Sequence, residues 1–451
     1  MQCIGIHSST DHPRIRYTVA FLDGHPLCRQ CNLRFKLNNT PAENHWNISY
    51  GQHRKDPYFD FFIPAQRIFF VPDQEPAANW TMNPYTYGGE IVHSVELKKT
   101  PELSGLISDR QFQFDLLETL FFHISRYEEV FAPEEQLGSS GWLNEEVHLL
   151  VQKQLEQLPQ VDRLVACVLE IITQQKIQQP TTYDLTHDID FLHRYPDRHA
   201  FIRALGGALY RREGLSTIRH HWKNYYALRL GKGKDPYDCF NWLLSEGKNW
   251  RRKTLYVMTG GETSYDNHYS IKDPTLLRAL DIARERGYEL GLHPSYNAAF
   301  KSSLFRYELK KMQLLAGKPI HRSRQHWLRF DWHITPSLFA RHGIREDASM
   351  GYRQRLGFRC GTGFPYQMYD FANEQAFPWQ EWPLVCMESA AIHQARALGV
   401  DPIDLFQAFF RANRYNTHIS INFHNSNFDP ALAAGRQLAD FYRSFILPLG
   451  K

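Results

Sequence analysis

A chain of 451 residues with a formal charge of +4, from 52 basic and 48 acidic side chains, is too evenly balanced to be a dedicated nucleic-acid binder. With 43% hydrophobic and 14% aromatic residues it can bury the cores of two or three domains, and no apolar run approaches the length of a membrane span. The first seven residues lack a basic stretch followed by an apolar one, and the seven scattered cysteines suit reduced thiols, so a cytoplasmic protein without a transmembrane segment is expected.

Residues 1 to about 105 read as β-rich. Residues 14–21 alternate and run into the turn Asp23-Gly24, and residues 46–51 and 67–71 are further short strands bounded by Pro, Asn and Gly. Cys28 and Cys31 form a single CxxC, which without a second pair reads as two ordinary thiols near a turn. The pattern then turns helical. Phe114, Leu117, Leu120, Phe121, Ile124 and Tyr127 share one face of a helix that ends before Pro133. After a loop at 137–142, Val147, Leu150, Val151, Leu155 and Leu158 mark one amphipathic helix, and Leu164, Val168, Ile171 and Ile172 mark another. The polar run 174–179 ends in Pro180, which sets an expected boundary between a smaller α+β domain, 1–180, and a second domain, 181–451.

Residues 183–191 begin as a strand and end in two carboxylates, Asp188 and Asp190. Strand alternation sends both to the same side. Like charges that close are unfavourable unless a metal or an arginine sits beside them; the plainer reading is a strand end capped by two solvated aspartates. A basic helical segment follows at 197–234, with nine arginines and lysines against few acids. Such a run is either a solvated face or a patch for an anionic sugar, a nucleotide-sugar or a membrane surface.

Strands then alternate with helices. Residues 255–258 are a buried strand; Asp273 caps a helix with Pro274 at its first position, running to Gly287; residues 289–293 are the next strand. A helix spans about 303–315 and stops at Gly317, a strand leads into 322–326, and Thr335-Pro336 opens a short helix ending at Gly343. Strands follow near Ile344, Phe358 and Val385. Asp401-Pro402 opens a last amphipathic helix, and residues 417–423 form a final strand ending at His424. This alternation over about 270 residues means α/β architecture with a parallel sheet, closed or nearly closed, with chemistry gathered at the C-terminal strand ends. Four such ends carry polar residues: Asp188 with Asp190, His293, Arg324 with His326, and His424.

The ordered series Thr186-x-Asp188-x-Asp190, then Gly-Leu-His-Pro-Ser-Tyr-Asn at 291–297, Arg324-Gln325-His326, Asp347 and Phe423-His424-Asn425 resembles the motifs of the polysaccharide deacetylases, the family 4 carbohydrate esterases, over roughly residues 181–430. Residues 1–180, through Ser125-Arg126-Tyr127-Glu128-Glu129, resemble the uncharacterised domain that precedes this deacetylase in some bacterial proteins. The resemblance implies a distorted (β/α) barrel with a divalent metal, usually zinc, that removes N-acetyl groups from a carbohydrate. It implies Asp188 as general base, Asp190 and His293 as metal ligands, Arg324 as the partner that orients the base, and Asp347 as the aspartate that holds Arg324. It implies His424 as general acid, with Tyr296 and His326 as substrate-binding residues. Two positions depart from the pattern. Asn297 stands where the second metal histidine is expected, four residues after His293 on one helical face, and an amide oxygen is a poorer zinc ligand than imidazole. Asn422 stands where an aliphatic residue is expected. The departures keep open a carbohydrate-binding relative that has lost its metal, and His326 as a substitute ligand. A glycoside hydrolase is a third reading, although carboxylates on adjacent same-side positions lie closer together than that chemistry needs.

Overall fold

The computed structural model of the chain describes residues 2–8, 10–38, 46–51, 58–66, 69–70, 80–97, 99, 103–138, 142–266 and 269–450. Its largest element is a nine-stranded sheet. The strands lie in the order Tyr366–Asp370, Gln375–Glu381, Glu346–Asp347, Arg322–Ser323, Glu289–Leu292, Arg252–Val257, Thr182–Ile189, His418–Asn422 and Cys386–Met387. Every neighbouring pair is parallel except the first, which is antiparallel. Helices Pro274–Glu285, Ser302–Ala316, Thr335–His342, Glu388–Leu398 and Pro402–Ala412 connect or flank these strands. Strands buried on both faces read as apolar runs rather than alternating ones, as in Leu255-Tyr256-Val257. The architecture is mixed α/β with parallel pairing. Among the described residues no hydrogen-bonded pair joins the two end strands, so the expected closed barrel is not what the strand pairing shows.

Several expectations hold in detail. Asp273 caps Pro274–Glu285 by accepting from the Thr275 N–H, and Gly317 ends Ser302–Ala316 in the left-handed conformation that glycine adopts without penalty. Others are corrected. Residues 14–21 are not a strand but most of the helix Pro13–Gly24, which buries Ile15, Thr18, Val19 and Leu22 at helical spacing. The overlooked start signal was Pro13 at the first helical position behind His12, whose ring accepts from the Arg14 N–H. Around this helix the strands Leu33–Asn38, Gln2–Ser8, Trp46–Tyr50, Phe61–Ile63 and Gln111–Phe112 pair in parallel, so the N-terminal part is itself an α/β layer. In the expected strand at 67–71, Phe69 and Phe70 lie in a bend, and Arg67, Ile68 and Val71 fall outside the described residues, as do Ser139, Ser140 and Gly141 of the loop at 137–142. Phe358 is not in a strand, the amphipathic helix expected over 147–158 is instead the 3-10 turn Glu145–Val147 followed by the short helix Leu149–Gln152, and Ala433–Phe441 follows Pro402–Ala412.

The single helix expected to carry Phe114 to Tyr127 and end before Pro133 breaks in two, Leu116–Ile124 and Tyr127–Val130, at Arg126, which takes φ 57°. A non-glycine residue pays for that backbone only where the surroundings fix it. Here Arg126 is fully buried and donates to Glu129 at 2.5 Å, and Glu129 also accepts two bonds from Arg359 at 2.8 and 2.7 Å. Burial disfavours the Glu129 carboxylate, but Arg359 and Arg126 outweigh it and hold its pKa well below the usual range. His148 Nε2 lies 2.9 Å from Glu129 and Trp332 donates to it, so the Ser125–Glu129 motif is a buried ionic joint between residues 126–148 and residues 332–359.

Candidate functional site

The cluster starts from the strand Thr182–Ile189. Its alternation turns Thr186 and Asp188 to one face and His187 to the other, where the His187 ring meets the Phe423 carbonyl. Asp188 is buried beside Arg324, whose Nη1 donates to Asp188 Oδ1 at 2.9 Å, to Asn422 Oδ1 at 2.8 Å and to the Thr186 hydroxyl oxygen at 2.9 Å. Asn422 Nδ2 donates to the other Asp188 oxygen at 3.0 Å. The asparagine that departs from the resembled pattern therefore ties Asp188 and Arg324 together. Burial pushes the Asp188 carboxyl up, but Arg324, His293 and His424 outweigh it and bring its pKa below the ordinary value. Arg324 also stacks 4.4 Å from the Tyr256 ring centre. A Cβ on Gly291 would lie 2.5 Å from that ring, so the next strand needs glycine there.

Asp190 lies just past the strand end. Its Oδ1 is 3.1 Å from His293 Nε2, and its Oδ2 is 4.0 Å from His326 Nε2 and 3.6 Å from His424 Nε2. Burial opposes its ionisation, but His424, His293 and His326 hold the carboxyl far below the ordinary range. The three histidines are oriented alike. His293 Nδ1 donates to the Arg324 carbonyl at 2.7 Å, His326 Nδ1 to Asp266 at 3.2 Å and His424 Nδ1 to Glu388 at 2.6 Å. An acceptor behind each Nδ1 fixes the ring's orientation and turns Nε2 toward the aspartates. Burial pulls the His424 imidazolium down, but Glu388, Asp190 and Asp188 outweigh it and push its pKa up to about 10.

Asp190, His293 and His326 can hold a metal ion together: one donor atom from each lies within 4.8 Å of the others. Two ligand atoms each about 2.1 Å from zinc at a tetrahedral angle are about 3.4 Å apart, and the observed 3.1 and 4.0 Å bracket that spacing. His326, expected at the substrate, thus stands in this cluster. Asn297 does not meet its description as a residue on a helix with His293, because residues 296–300 are a turn and the helix begins at Ser302. Its Oδ1 accepts from Arg329 Nη1 at 3.4 Å. Asp347 is not found holding Arg324. It bonds Ser349 and shares a buried site with Glu381, while Arg324 Nε donates to the Ala348 carbonyl. Tyr296 is half-buried beside the cluster, stacked on Tyr265 with ring centres 4.5 Å apart. Trp327, half exposed, meets Tyr265 edge-on and has φ 59°.

Two functional neighbours escaped the sequence. Asp266 accepts from His326, from the Tyr296 N–H at 2.7 Å and from Thr263. Glu388 accepts from His424 twice and from Asn427. Both are single carboxylates, 60 and 36 residues from the histidines they hold, and no local spacing marks them.

Residues 4–177 match the model of a family of unknown function, DUF7033. No curated protein matches the chain. Among solved structures, a candidate polysaccharide deacetylase from Mycobacterium smegmatis aligns at 17% identity and TM-score 0.33, over 61% of this chain and 88% of that one. A 4-alpha-glucanotransferase from Thermococcus litoralis aligns at 10% identity and TM-score 0.34, over 61% of this chain and 37% of that one. Superpositions this loose define neither fold nor activity.

Proposed function

We propose that this chain is a metal-dependent hydrolase that removes an N-acetyl group from a carbohydrate. The observation that carries the reading is the convergence of Asp190, His293 and His326 on one point, with Asp188 and His424 beside it. The sequence resemblance to polysaccharide deacetylases, carried by the same residues, supports it. Asp190, His293 and His326 would hold a divalent cation, zinc in our reading; two imidazoles and a carboxylate leave part of its coordination free. When bound, such a cation polarises an amide carbonyl and acidifies water. The remaining roles fall to the protein's own groups. Asp188, kept ionised by Arg324 and oriented by Asn422, accepts a proton from the attacking water. His424, charged through Glu388, donates one to the departing amine. Tyr265, Tyr296 and Trp327 offer ring faces and edges to a sugar. The domain division at 180 and a cytoplasmic setting belong to the same proposal; none of the seven cysteines is paired in a disulfide.

The test is acetate release from a panel of N-acetylated glycans with zinc, cobalt or nickel supplied, alongside metal analysis of protein purified without chelator. Release together with about one metal per chain supports the hydrolase. Glycan binding without metal or release replaces it with the carbohydrate-binding reading.

A further inference from the structure

Directly after Asp190 the chain leaves the cluster and builds a hairpin of two helices, Arg198–Tyr210 and Leu215–Arg229. It has a small core of its own, Tyr195, Phe201 and Ala204 with Tyr225 and Leu228 against them, separate from the main one. Phe201 and Tyr225 stack with ring centres 4.0 Å apart. That core explains one face of each helix. Beside it both helices carry large apolar side chains that the other described residues leave exposed. Leu209 is 65%, Tyr210 90%, Leu215 75% and Leu230 67% exposed. On the second helix Leu215, Trp222 and Tyr226 follow helical spacing along one exposed stripe, with Trp222 stacked on Tyr226.

Solvated faces are polar, and a contiguous exposed apolar patch marks a contact surface. The charge around the stripe narrows the partner. Residues 197–234 hold nine lysines and arginines against Asp197 and Glu213, a surplus of seven in a chain whose whole surplus is four, so the remainder is net acidic. Arg219, Lys223 and Arg229 are exposed beside the aromatic stripe. A lipid interface with anionic headgroups uses both chemistries at once. Leu and aromatic rings enter the headgroup–acyl boundary, and long basic side chains reach up to anionic headgroups.

We propose that this hairpin docks on the surface of a bilayer carrying anionic lipids. The anchoring is peripheral: no helix among the described residues is long and apolar enough to cross a membrane. The hairpin is braced to the rim of the cluster. Arg194 Nε donates to Asp429 at 2.9 Å, and the Arg194 and Tyr195 N–H groups bond Asp235. A cleft of about 450 Å³ runs between the hairpin and the loop after His424, lined by Phe191, Arg194, Arg203, Arg211, Tyr237 and Asn427 among others. The proposal does not depend on the chemistry assigned to the cluster.

The experiment is sedimentation of the full chain with vesicles of phosphatidylcholine alone and of phosphatidylcholine with phosphatidylglycerol. The expected result is pelleting with the anionic vesicles only, weakened by salt. The triple variant Arg219→Glu, Lys223→Glu, Arg229→Glu should lower partitioning by on the order of a hundredfold or more. The double variant Trp222→Ala, Tyr226→Ala should lower it several-fold at unchanged charge, and circular dichroism should show all chains folded. Absence of pelleting, equal pelleting with neutral vesicles, or release from anionic vesicles by duplex DNA at equal phosphate concentration would overturn the proposal, the last by making the face a nucleic-acid surface.

Discussion

Glu388 and His424 are joined twice through one oxygen: Glu388 Oε1 lies 2.6 Å from the ring Nδ1 and 2.7 Å from the backbone N–H of the same histidine. Asn427 adds a third donor at 2.7 Å. The carboxylate therefore sets both the ring's tautomer and its position, which makes Glu388 a positioning residue for the proposed acid. Glu388→Gln keeps the shape and removes the charge. Its kcat should fall about 10²-fold with KM little changed, and its metal content should stay as in the parent chain. A loss confined to KM would remove Glu388 from this role.

For the metal, His293→Ala and His326→Ala should each lose most bound zinc, measured by elemental analysis after purification without chelator. Asn297→Ala should keep it, because the Asn297 amide oxygen is engaged by Arg329. Full zinc in His326→Ala together with loss in Asn297→Ala would reverse the ligand assignment.

For the base, Asp188→Asn should fold, retain metal and lose activity by on the order of 10²–10⁴. Asn422→Leu supplies the aliphatic side chain of the family pattern. It removes one donor to Asp188 and one acceptor from Arg324, so a smaller loss of about tenfold is expected. An Asp188→Asn chain as active as the parent would end this mechanism.

Asp188, Asp190, His293, Arg324, His326 and His424 were legible because each sits at or just past a strand end, and a parallel sheet gathers such ends on one side. Their supports were not. Glu388, Asp266 and the bridging role of Asn422 rest on contacts across 36 to 234 residues, which no local pattern encodes. For Asn297 the sequence implies a helical face shared with His293, and a turn at 296–300 stands there instead. In the fold, residues 14–21 looked like a strand by alternation, yet their apolar residues also recur at three and four, and Pro13 decides between the two periods.

Stability should depend on pH through a pair outside the cluster. Burial pushes the Asp347 carboxyl up to about 6 and, with Asp347 beside it, raises Glu381 well above the ordinary range. Unfolded carboxyls titrate near about 4. The folded chain thus binds these protons more tightly than the unfolded one. The stabilisation is full below about pH 4 and is lost as pH rises through about 6. Glu381→Gln keeps the oxygen that accepts from the Met350 N–H and removes one charge. Relative to the parent, the variant should gain on the order of 2 kcal/mol between pH 4 and pH 7.5, read as diverging thermal midpoints. Midpoints that run parallel across that range would refute the coupling.

The strand Tyr366–Asp370 closes one end of the large sheet, and its outer side has no strand partner among the described residues. The helix Pro13–Gly24 attends to it instead. The Tyr17 hydroxyl donates to the Gln367 carbonyl at 2.6 Å, and Tyr17 and Phe21 pack on Tyr369 and Tyr366. A bare end strand is a template for any other extended chain. With the helix Pro13–Gly24 against this strand the border is covered, and a chain begun after residue 180 would expose it as a place from which fibrous or amorphous assembly can grow.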